Sequence, residues 1–173
     1  MLTHEDCLVE VFDEQGKVVK IKPRKEALPK TDILKAVYVF VCNSKGELWL
    51  TISPDSKLIW PNHYWPSASG IVRHRETPDQ AVLRTAKREL GVKAPKLKLL
   101  GSDFINFNGM RQFAYCYCCE HDGRVEFDPR DVQRGDFLSQ NEVEDLMKSN
   151  QKRFSPMFSQ LYDKFKSSLF TSM

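Results

Sequence analysis

The chain has 173 residues, of which 41% are hydrophobic and 28% are charged, and its formal net charge is +3. These values are typical of a globular domain that buries its own core, and they argue against a disordered chain. Basic residues are spread among acidic ones, which argues against a nucleic acid polymer as partner. No apolar run approaches the roughly 20 residues of a membrane helix, and no secretory signal is visible, so we expect a cytoplasmic protein.

The first predicted element is a β-hairpin. Residues 8–22 alternate apolar and polar positions around a turn at residues 13–16, which ends in a glycine. A link that contains prolines, residues 23–29, separates this hairpin from the rest of the chain. We therefore interpret residues 1–30 as an N-terminal β extension.

Residues 31–139 are predicted to form the central domain, which begins with two strands. The continuous apolar run at residues 36–42 is typical of a buried strand. A turn follows it, and residues 47–51 are predicted to complete a second hairpin. Residues 53–66, rich in proline and aromatic side chains, should form a structured loop before a short strand at residues 67–72.

The clearest helix of the chain follows. Thr77 is a favourable N-cap, Pro78 suits the first helical position, and Gln80 completes a capping box. Gly91 supplies the stop. Helical periodicity predicts a core-facing stripe of five residues, namely Ala81, Val82, Leu83, Ala86 and Leu90.

The last part of the chain is predicted to add strands first and helices afterwards. The pattern indicates strands at residues 97–107, 111–120 and 136–138, and helices at residues 140–150 and 155–166. This order predicts an α/β sandwich in which residues 140–173 form a C-terminal helical segment packed on the central domain, so that the whole chain is one structural domain.

The cysteines are predicted to be buried thiols. Their number is odd and their spacing matches no zinc pattern, which argues against a disulfide framework and a metal centre. Three of them lie in one predicted strand, where adjacent side chains point to opposite faces and cannot converge on an ion. The five are Cys7, Cys42, Cys116, Cys118 and Cys119.

The sequence around the clearest helix resembles the Nudix box. The glycine, glutamate and arginine spacing of that box is matched by Gly70, Glu76, Arg84, Glu89, Gly91 and Val92. Thr85 and Arg88 stand where the family pattern has glutamates. The resemblance implies a Nudix α/β/α sandwich with a mixed sheet. It also implies hydrolysis of a diphosphate linked to another group, with Mg²⁺ or Mn²⁺ as cofactor.

The loop before the box resembles that of type I isopentenyl diphosphate isomerases and related Nudix hydrolases. The resemblance rests on Ser56, Lys57, Trp60, Pro61 and Trp65. It implies that Lys57 contacts phosphate and that Trp60 and Trp65 contact the ligand, although both tryptophans could equally pack in the core. Isomerase activity is the least favoured enzymatic reading, because residues 65–70 contain no cysteine where that family has a reactive one.

The departures at Thr85 and Arg88 weaken the metal site that the resemblance implies. Residues three and four apart share one helix face, so positions 85, 88 and 89 would carry three negative charges in a full box. Here their charges sum to zero, and an arginine about 5 Å from a divalent ion would oppose it by roughly 2–7 kcal/mol. Glu89 is therefore a weak metal ligand and could instead pair with Arg84 or Arg88.

Other acidic residues and one histidine could still contribute to such a site. Asp131, Glu126 and Glu142 are the candidates for a carboxylate supplied from outside the box, although each could be a solvated surface acid. Glu76 could simply favour the helix dipole, and His74 could be an exposed loop residue.

Two classes of function remain open. In the first, the chain is a phosphohydrolase of a nucleotide-like or other diphosphate, with Glu76, Arg84 and Glu89 as its catalytic residues. In the second, it is an inactive binder that needs no metal and takes a small phosphorylated ligand or a protein partner. Arg88 suits the second class, because its guanidinium can hold a phosphate directly.

Overall fold

A computed structural model describes residues 6–93 and 96–170, which fold around a seven-stranded mixed sheet beside a two-stranded one. The first five residues of the predicted N-terminal extension and the last three of the C-terminal segment lie outside the described residues. The strands are β1 (Leu8–Phe12), β2 (Val18–Pro23), β3 (Leu34–Cys42), β4 (Leu48–Ile52), β5 (Tyr64–Trp65), β6 (Ala68–Ile71), β7 (Leu97–Phe107), β8 (Met110–Glu120) and β9 (Arg134–Leu138). The α-helices are α1 (Pro78–Leu90), α2 (Gln140–Ser149) and α3 (Pro156–Leu169).

The predicted N-terminal hairpin is confirmed as the antiparallel pair β1–β2. It packs against the start of β3 through a small cluster of buried aliphatic side chains, and Phe12 forms a bridge with Ile33. It also contacts the segment between β6 and α1, where the His74 N–H donates to the Leu8 carbonyl at 2.8 Å and Val9 bridges Arg73. The hairpin therefore supports the loop that leads into α1.

Helices cover both faces of the seven-stranded sheet. Along β3, Tyr38 and Phe40 belong to a core cluster shared with α3, whereas Val39 and Val41 belong to a second cluster shared with α1. This division follows from the two-residue period of a strand. β3 pairs in parallel with β8 and antiparallel with β4 and β6. The expected α/β/α sandwich with a mixed sheet, an N-terminal hairpin and C-terminal helices is confirmed.

The predicted second hairpin, between β3 and β4, is only partly correct. The two strands pair at a single position, Cys42 with Leu48, because β6 takes the same edge of β3 from Ala36 to Val39. The main partner of β4 is β9, which pairs with it antiparallel along its whole length. Because of this pairing, the loop between β8 and β9 lies close to the end of α1, where it contributes a residue to the candidate site.

Helix α1 begins and ends where the sequence predicts. Gln80 N donates to the Thr77 hydroxyl at 3.2 Å and the Gln80 side chain accepts from Thr77 N at 2.9 Å, while Gly91 ends the helix with φ 66°. The prediction that Leu83 faces the core is wrong, since its side chain is 44% exposed. The other four residues of the predicted stripe are buried, and the buried face extends to Thr85 and Glu89. Helix packing on the sheet, and not the apolar pattern alone, decides which face is covered.

The cysteines of β8 are buried as predicted, and they lie on both faces of the sheet. Cys116 and Cys118 pack against α3, whereas Cys119 packs against the side of α1. Burial raises the pKa of the Cys119 thiol to about 12, so it stays protonated at neutral pH. Cys7 differs from the prediction because it is only half-buried. Within residues 6–93 and 96–170, no helix is long and apolar enough to cross a membrane.

Candidate functional site

Glu76 and Arg84 form a two-pronged ion pair that ties the loop before α1 to the helix. Arg84 Nε and Nη2 donate to the two Glu76 carboxylate oxygens at 2.7 and 2.8 Å, and Nη2 also donates to the Ile71 carbonyl at 3.0 Å. The Arg73 N–H donates to Glu76 at 2.9 Å. Burial alone would raise the pKa of Glu76, but the hydrogen bonds from Arg84 and Arg73 outweigh it and lower that pKa. Glu76 is thus an ionised anchor of the loop.

Glu89 lies at the other end of α1 in a buried position. Arg88 Nη2 donates to Glu89 Oε1 at 2.5 Å, and the Ser69 N–H donates to Oε2 at 3.1 Å. Of the two ion pairs that the sequence allowed for Glu89, the one with Arg88 is therefore formed. Burial, with a smaller contribution from Asp131, raises the pKa of Glu89 to about 7 against the opposing effects of Arg88, Lys57 and Ser69. At neutral pH Glu89 is a carboxyl close to half protonation.

Asp131 is brought to the same place by the chain that joins β8 to β9. Two backbone hydrogen bonds fix that chain to the end of α1, from Glu126 N to the Leu90 carbonyl at 3.1 Å and from Asp128 N to the Glu89 carbonyl at 3.0 Å. Asp131 Oδ2 then lies 3.2 Å from Arg88 Nε. Asp131 is the one of the three candidate outside carboxylates that reaches the cluster. The Glu126 side chain is exposed, and that of Glu142 accepts from Ser139 at the start of α2.

Lys57 completes a cluster of four charged side chains. Its Nζ lies 3.7 Å from the centre of the Trp65 ring, in a cation–π contact. Burial lowers the pKa of Lys57, Glu89 and Asp131 oppose that change, and Arg88 adds to it. Within the described parts of the chain, Lys57 Nζ forms no hydrogen bond or ion pair. We call Lys57, Arg88, Glu89 and Asp131 the charge cluster, and its formal charges sum to zero.

The loop that carries Lys57 is held in a defined conformation. The Ser53 hydroxyl donates to the Trp60 carbonyl at 2.7 Å and accepts from His63 N at 3.1 Å, which closes the loop on itself. Trp60 and Asn62 have φ angles of 47° and 54°, in the left-handed region that costs free energy for residues other than glycine. Strain of this kind is retained where the surrounding structure fixes the backbone, so the position of Lys57 is preorganised.

The two tryptophans named by the resemblance have different environments. Trp65 is part of the core and is 6% exposed, whereas Trp60 is only partly buried. Their ring centres are 6.0 Å apart, and Trp60 also meets the edge of Phe107 at 6.4 Å. Trp65 therefore serves as the platform for Lys57, and Trp60 is the tryptophan that keeps a partly open surface beside it.

Thr85 and Gly70, at two positions of the Nudix box, pack tightly against each other. Thr85 is fully buried, and its hydroxyl has no hydrogen-bond partner among the described residues. A Cβ built on Gly70 would collide with the Thr85 side chain, so a glycine is required there. His74, predicted as an exposed loop residue, is half-buried, and its Nδ1 lies 2.8 Å from Glu10 of the N-terminal hairpin. It contributes nothing to the charge cluster.

A divalent metal ion does not fit this arrangement. Mg²⁺ and Mn²⁺ require several oxygen ligands that converge from one surface. Both oxygens of Glu89 already accept hydrogen bonds, and the guanidinium of Arg88 lies between Glu89 and Asp131. In the described portion of the chain, no group of three or more His, Cys, Asp or Glu residues is arranged to hold a metal ion. The cations of the charge cluster stand where the resemblance implies a metal.

Sequence comparison agrees with the fold and the box. The family model for the NUDIX domain matches residues 32–158, which is most of the chain. The chain therefore belongs to the Nudix family.

Among its relatives, a Nudix hydrolase of Deinococcus radiodurans is 28% identical over 136 residues, which are 78% of this chain and 80% of that protein. An isopentenyl-diphosphate Delta-isomerase of Corynebacterium diphtheriae is 36% identical over 91 residues, which are 52% of this chain and 50% of that enzyme. A crystal structure of a Deinococcus radiodurans protein superposes with a TM-score of 0.78 at 24% identity, covering 91% of this chain and 98% of that one. The structural likeness supports the fold.

Proposed function

We propose that this Nudix domain binds a small molecule with a phosphate or diphosphate group, which it holds through Lys57 and Arg88 without a bridging metal ion. The observation that carries the proposal is the convergence of these two cations at the end of α1, where the family resemblance implies carboxylates and a metal. Arginine and lysine are the side chains that bind phosphate most directly in proteins.

The donors that a phosphate needs are left over after the internal pairing. A guanidinium carries five N–H donors, and Arg88 donates from Nη2 to Glu89, whereas Nε lies 3.2 Å from Asp131 Oδ2 without making a hydrogen bond. Its Nη1 is buried without a hydrogen-bond partner in the described structure. The same is true of Arg84 Nη1, so an unsatisfied donor alone does not define the site. The difference is that Arg88 has a second cation, Lys57, in its neighbourhood.

Ligand binding must also rearrange the cluster, because Arg88 Nη1 is covered. A phosphate that accepts from Arg88 and Lys57 would satisfy donors whose burial is otherwise costly. Glu89 can follow this change easily, since its pKa of about 7 lets it take up a proton when the anionic ligand approaches. Trp60 lies on the same loop as Lys57 and offers a partly exposed ring for the rest of the ligand.

Metal-dependent hydrolysis is the second candidate function, and one observation favours it. Glu89 and Asp131 both contact Arg88, so two carboxylates lie close together at the position of the box. A ligand that drew Arg88 away would expose both of them. The Glu76–Arg84 pair is also present as the family resemblance implies.

The test compares binding and turnover over one panel of compounds: inorganic diphosphate, nucleoside diphosphates, ADP-ribose and prenyl diphosphates. We expect at least one of them to bind in calorimetry with EDTA present. Replacing Lys57 or Arg88 with Gln should weaken that binding about 10–100-fold, the worth of one charge-assisted hydrogen bond. Arg130→Gln is the matched control, since it removes the same charge from the same loop as Asp131 but its side chain is 87% exposed.

Two results would overturn the proposal. The first is binding that requires Mg²⁺ or Mn²⁺ and survives both Gln substitutions. The second is metal-dependent hydrolysis of a panel compound well above the rate of a Glu89→Gln variant, which would establish the hydrolase instead.

A further inference from the structure

Arg88 bridges two carboxylates that come from different parts of the chain. Arg88 Nη2 donates to Glu89 Oε1 at 2.5 Å, and Nε lies 3.2 Å from Asp131 Oδ2 in an ion pair without a hydrogen bond. Glu89 is on α1, whereas Asp131 is on the loop between β8 and β9. The bridge therefore joins the helix of the Nudix box to a loop more than 40 residues further along the chain.

The two carboxylates are held in place by contacts that do not involve Arg88. The Ser69 N–H fixes Glu89 Oε2, and Gly70 beside it packs against Thr85 without room for a side chain. The Asp131 loop is fixed to α1 through backbone bonds from Glu126 and Asp128 to helix carbonyls. Both carboxyl groups should therefore keep their approximate positions if the guanidinium is removed.

Two carboxylates this close together require a positive charge between them. The charge of Asp131 opposes the ionisation of Glu89, and a cation offsets that effect. In other proteins, a divalent ion bound by carboxylate oxygens supplies this compensating positive charge. In this chain the compensating charge is covalently attached, carries one unit instead of two, and is accompanied by Lys57.

We propose that Arg88 is a tethered cation that fills a divalent-cation position between Glu89 and Asp131, and that its removal opens a two-carboxylate site that takes up Mn²⁺. The inference deepens the proposed metal-free binding of phosphate, on which it rests. It assigns to Asp131 the role of second acidic partner, and it predicts that the natural chain binds Mn²⁺ only weakly.

The experiment measures Mn²⁺ alone, without any phosphorylated compound. Binding is followed by the loss of the free Mn²⁺ signal in electron paramagnetic resonance and by calorimetry, for the full chain and for Arg88→Ala. We expect Arg88→Ala to bind Mn²⁺ at least about tenfold more tightly than the natural chain, because a repelling charge has become an open position. The double variant Lys57→Gln, Arg88→Ala should bind it more tightly still.

Three controls define the site. Arg88→Lys keeps the positive charge and should gain no Mn²⁺ binding. Arg130→Gln removes a charge from the same loop, leaves the bridge intact, and should also gain none. Asp131→Asn in the Arg88→Ala background should abolish the gain. Equal Mn²⁺ affinity for Arg88→Ala and the natural chain would overturn the inference, and so would a gain that survives Asp131→Asn.

Loss of folding in Arg88→Ala would be informative as well. If the variant is unfolded in EDTA, circular dichroism with added Mn²⁺ shows whether the ion restores the fold. Restoration supports the tethered-cation role, and failure to restore contradicts it. This inference and the proposed function fail separately. A natural chain that binds no phosphorylated compound refutes only the latter, whereas an Arg88→Ala variant without Mn²⁺ binding refutes only the former.

Discussion

The two ends of α1 carry glutamate–arginine pairs that behave in opposite ways. At the first end, Arg84 donates two hydrogen bonds to Glu76 and a third to a backbone carbonyl, and the pKa of Glu76 is lowered. At the second end, Glu89 is more deeply buried and has Asp131 beside it, and its pKa is raised to about 7. The same two residue types thus form a stable structural ion pair at one place and a cluster with a raised glutamate pKa at the other.

The difference shows that the surroundings of a glutamate–arginine pair, and not the two residue types, decide whether the pKa of the glutamate is lowered or raised. The Glu76 pair is satisfied within the loop and the helix that it joins. The Glu89 pair depends on Asp131, Lys57 and the approach of a distant loop, and its guanidinium keeps a donor without a partner in the described chain. Groups whose pKa values are shifted by such burial and neighbouring charges are concentrated at functional sites. This comparison supports our proposal that the ligand binds at the second end.

The largest expected effect is on stability and comes from breaking the first pair. Arg84→Ala removes three hydrogen bonds and leaves Glu76 partly buried and unpaired, which should lower the free energy of unfolding by about 3 kcal/mol. Urea denaturation at neutral pH measures this change. Arg130→Ala, at an exposed pair, should cost less than about 0.5 kcal/mol. Similar losses for both variants would contradict the anchoring role of Arg84.

Breaking the second pair should cost less and should depend on pH. Arg88→Ala removes the positive charge beside Glu89 and Asp131. Glu89 can avoid the resulting repulsion by taking up a proton, since Arg88 is one of the groups that lower its pKa. Because the variant raises the pKa of Glu89 further, its free energy of unfolding falls more steeply than that of the natural chain as pH rises. We expect a loss of about 2 kcal/mol at pH 8 and a clearly smaller loss at pH 6. Denaturation at both values tests this, and a loss independent of pH would argue against the escape by protonation.

Glu89 itself should make the natural chain less stable at higher pH. Because its folded pKa is about 7 against an ordinary 4.5, the folded state keeps a proton that the unfolded chain has released, and its relative stability falls between those pH values. Glu89→Gln removes this fall, so its stability relative to the natural chain should rise by about 2–3 kcal/mol from pH 5 to pH 8. Glu76 adds no slope there, because its lowered pKa affects stability only in more acidic solution. A constant difference between the two proteins across this range would contradict the raised pKa.

The smallest effect on stability is expected at Lys57. Lys57→Met loses the cation–π contact with Trp65, but it also relieves the burial of an ammonium group, so the two effects on stability oppose each other. Binding of the phosphorylated ligand should fall strongly in the same variant. Calorimetry measures the ligand affinity of the variant, and thermal denaturation of the same sample measures its stability. A variant that loses several degrees of melting temperature while keeping its affinity would place Lys57 in the fold and not in the site.

Much of the fold follows from local patterns in the sequence. Residues that are close together in the sequence determine α1, β3 and β8. The limits of α1 are set by the capping box of Thr77 and Gln80 and by Gly91, and the two strands are set by their apolar runs. Leu83 was misplaced because an apolar residue at the border of a helical stripe is covered only if the neighbouring layer reaches it. The pairing of β4 was misjudged for a similar reason, since strand order depends on which distant strand takes a shared edge.

The candidate site was predictable in part. The spacing from Gly70 to Val92 indicated the Nudix box, and the substitutions at Thr85 and Arg88 indicated that its charge had changed. Lys57 and Arg88 were both proposed as phosphate contacts from the sequence. Asp131 was one of three equal candidates, and the choice among them had no signal in the sequence, because it depends on hydrogen bonds between a loop and the end of a helix.

The sequence by itself indicated the family and the limits of α1, and it showed threonine and arginine at positions 85 and 88, because each of these depends on residue identity and short spacing. Only the tertiary structure decided that Arg88 pairs with both Glu89 and Asp131, that the charge of Lys57 acts on this cluster, and that burial raises the pKa of Glu89. Those properties arise from burial and from distances between segments that are far apart along the chain, and electrostatic interactions depend on both.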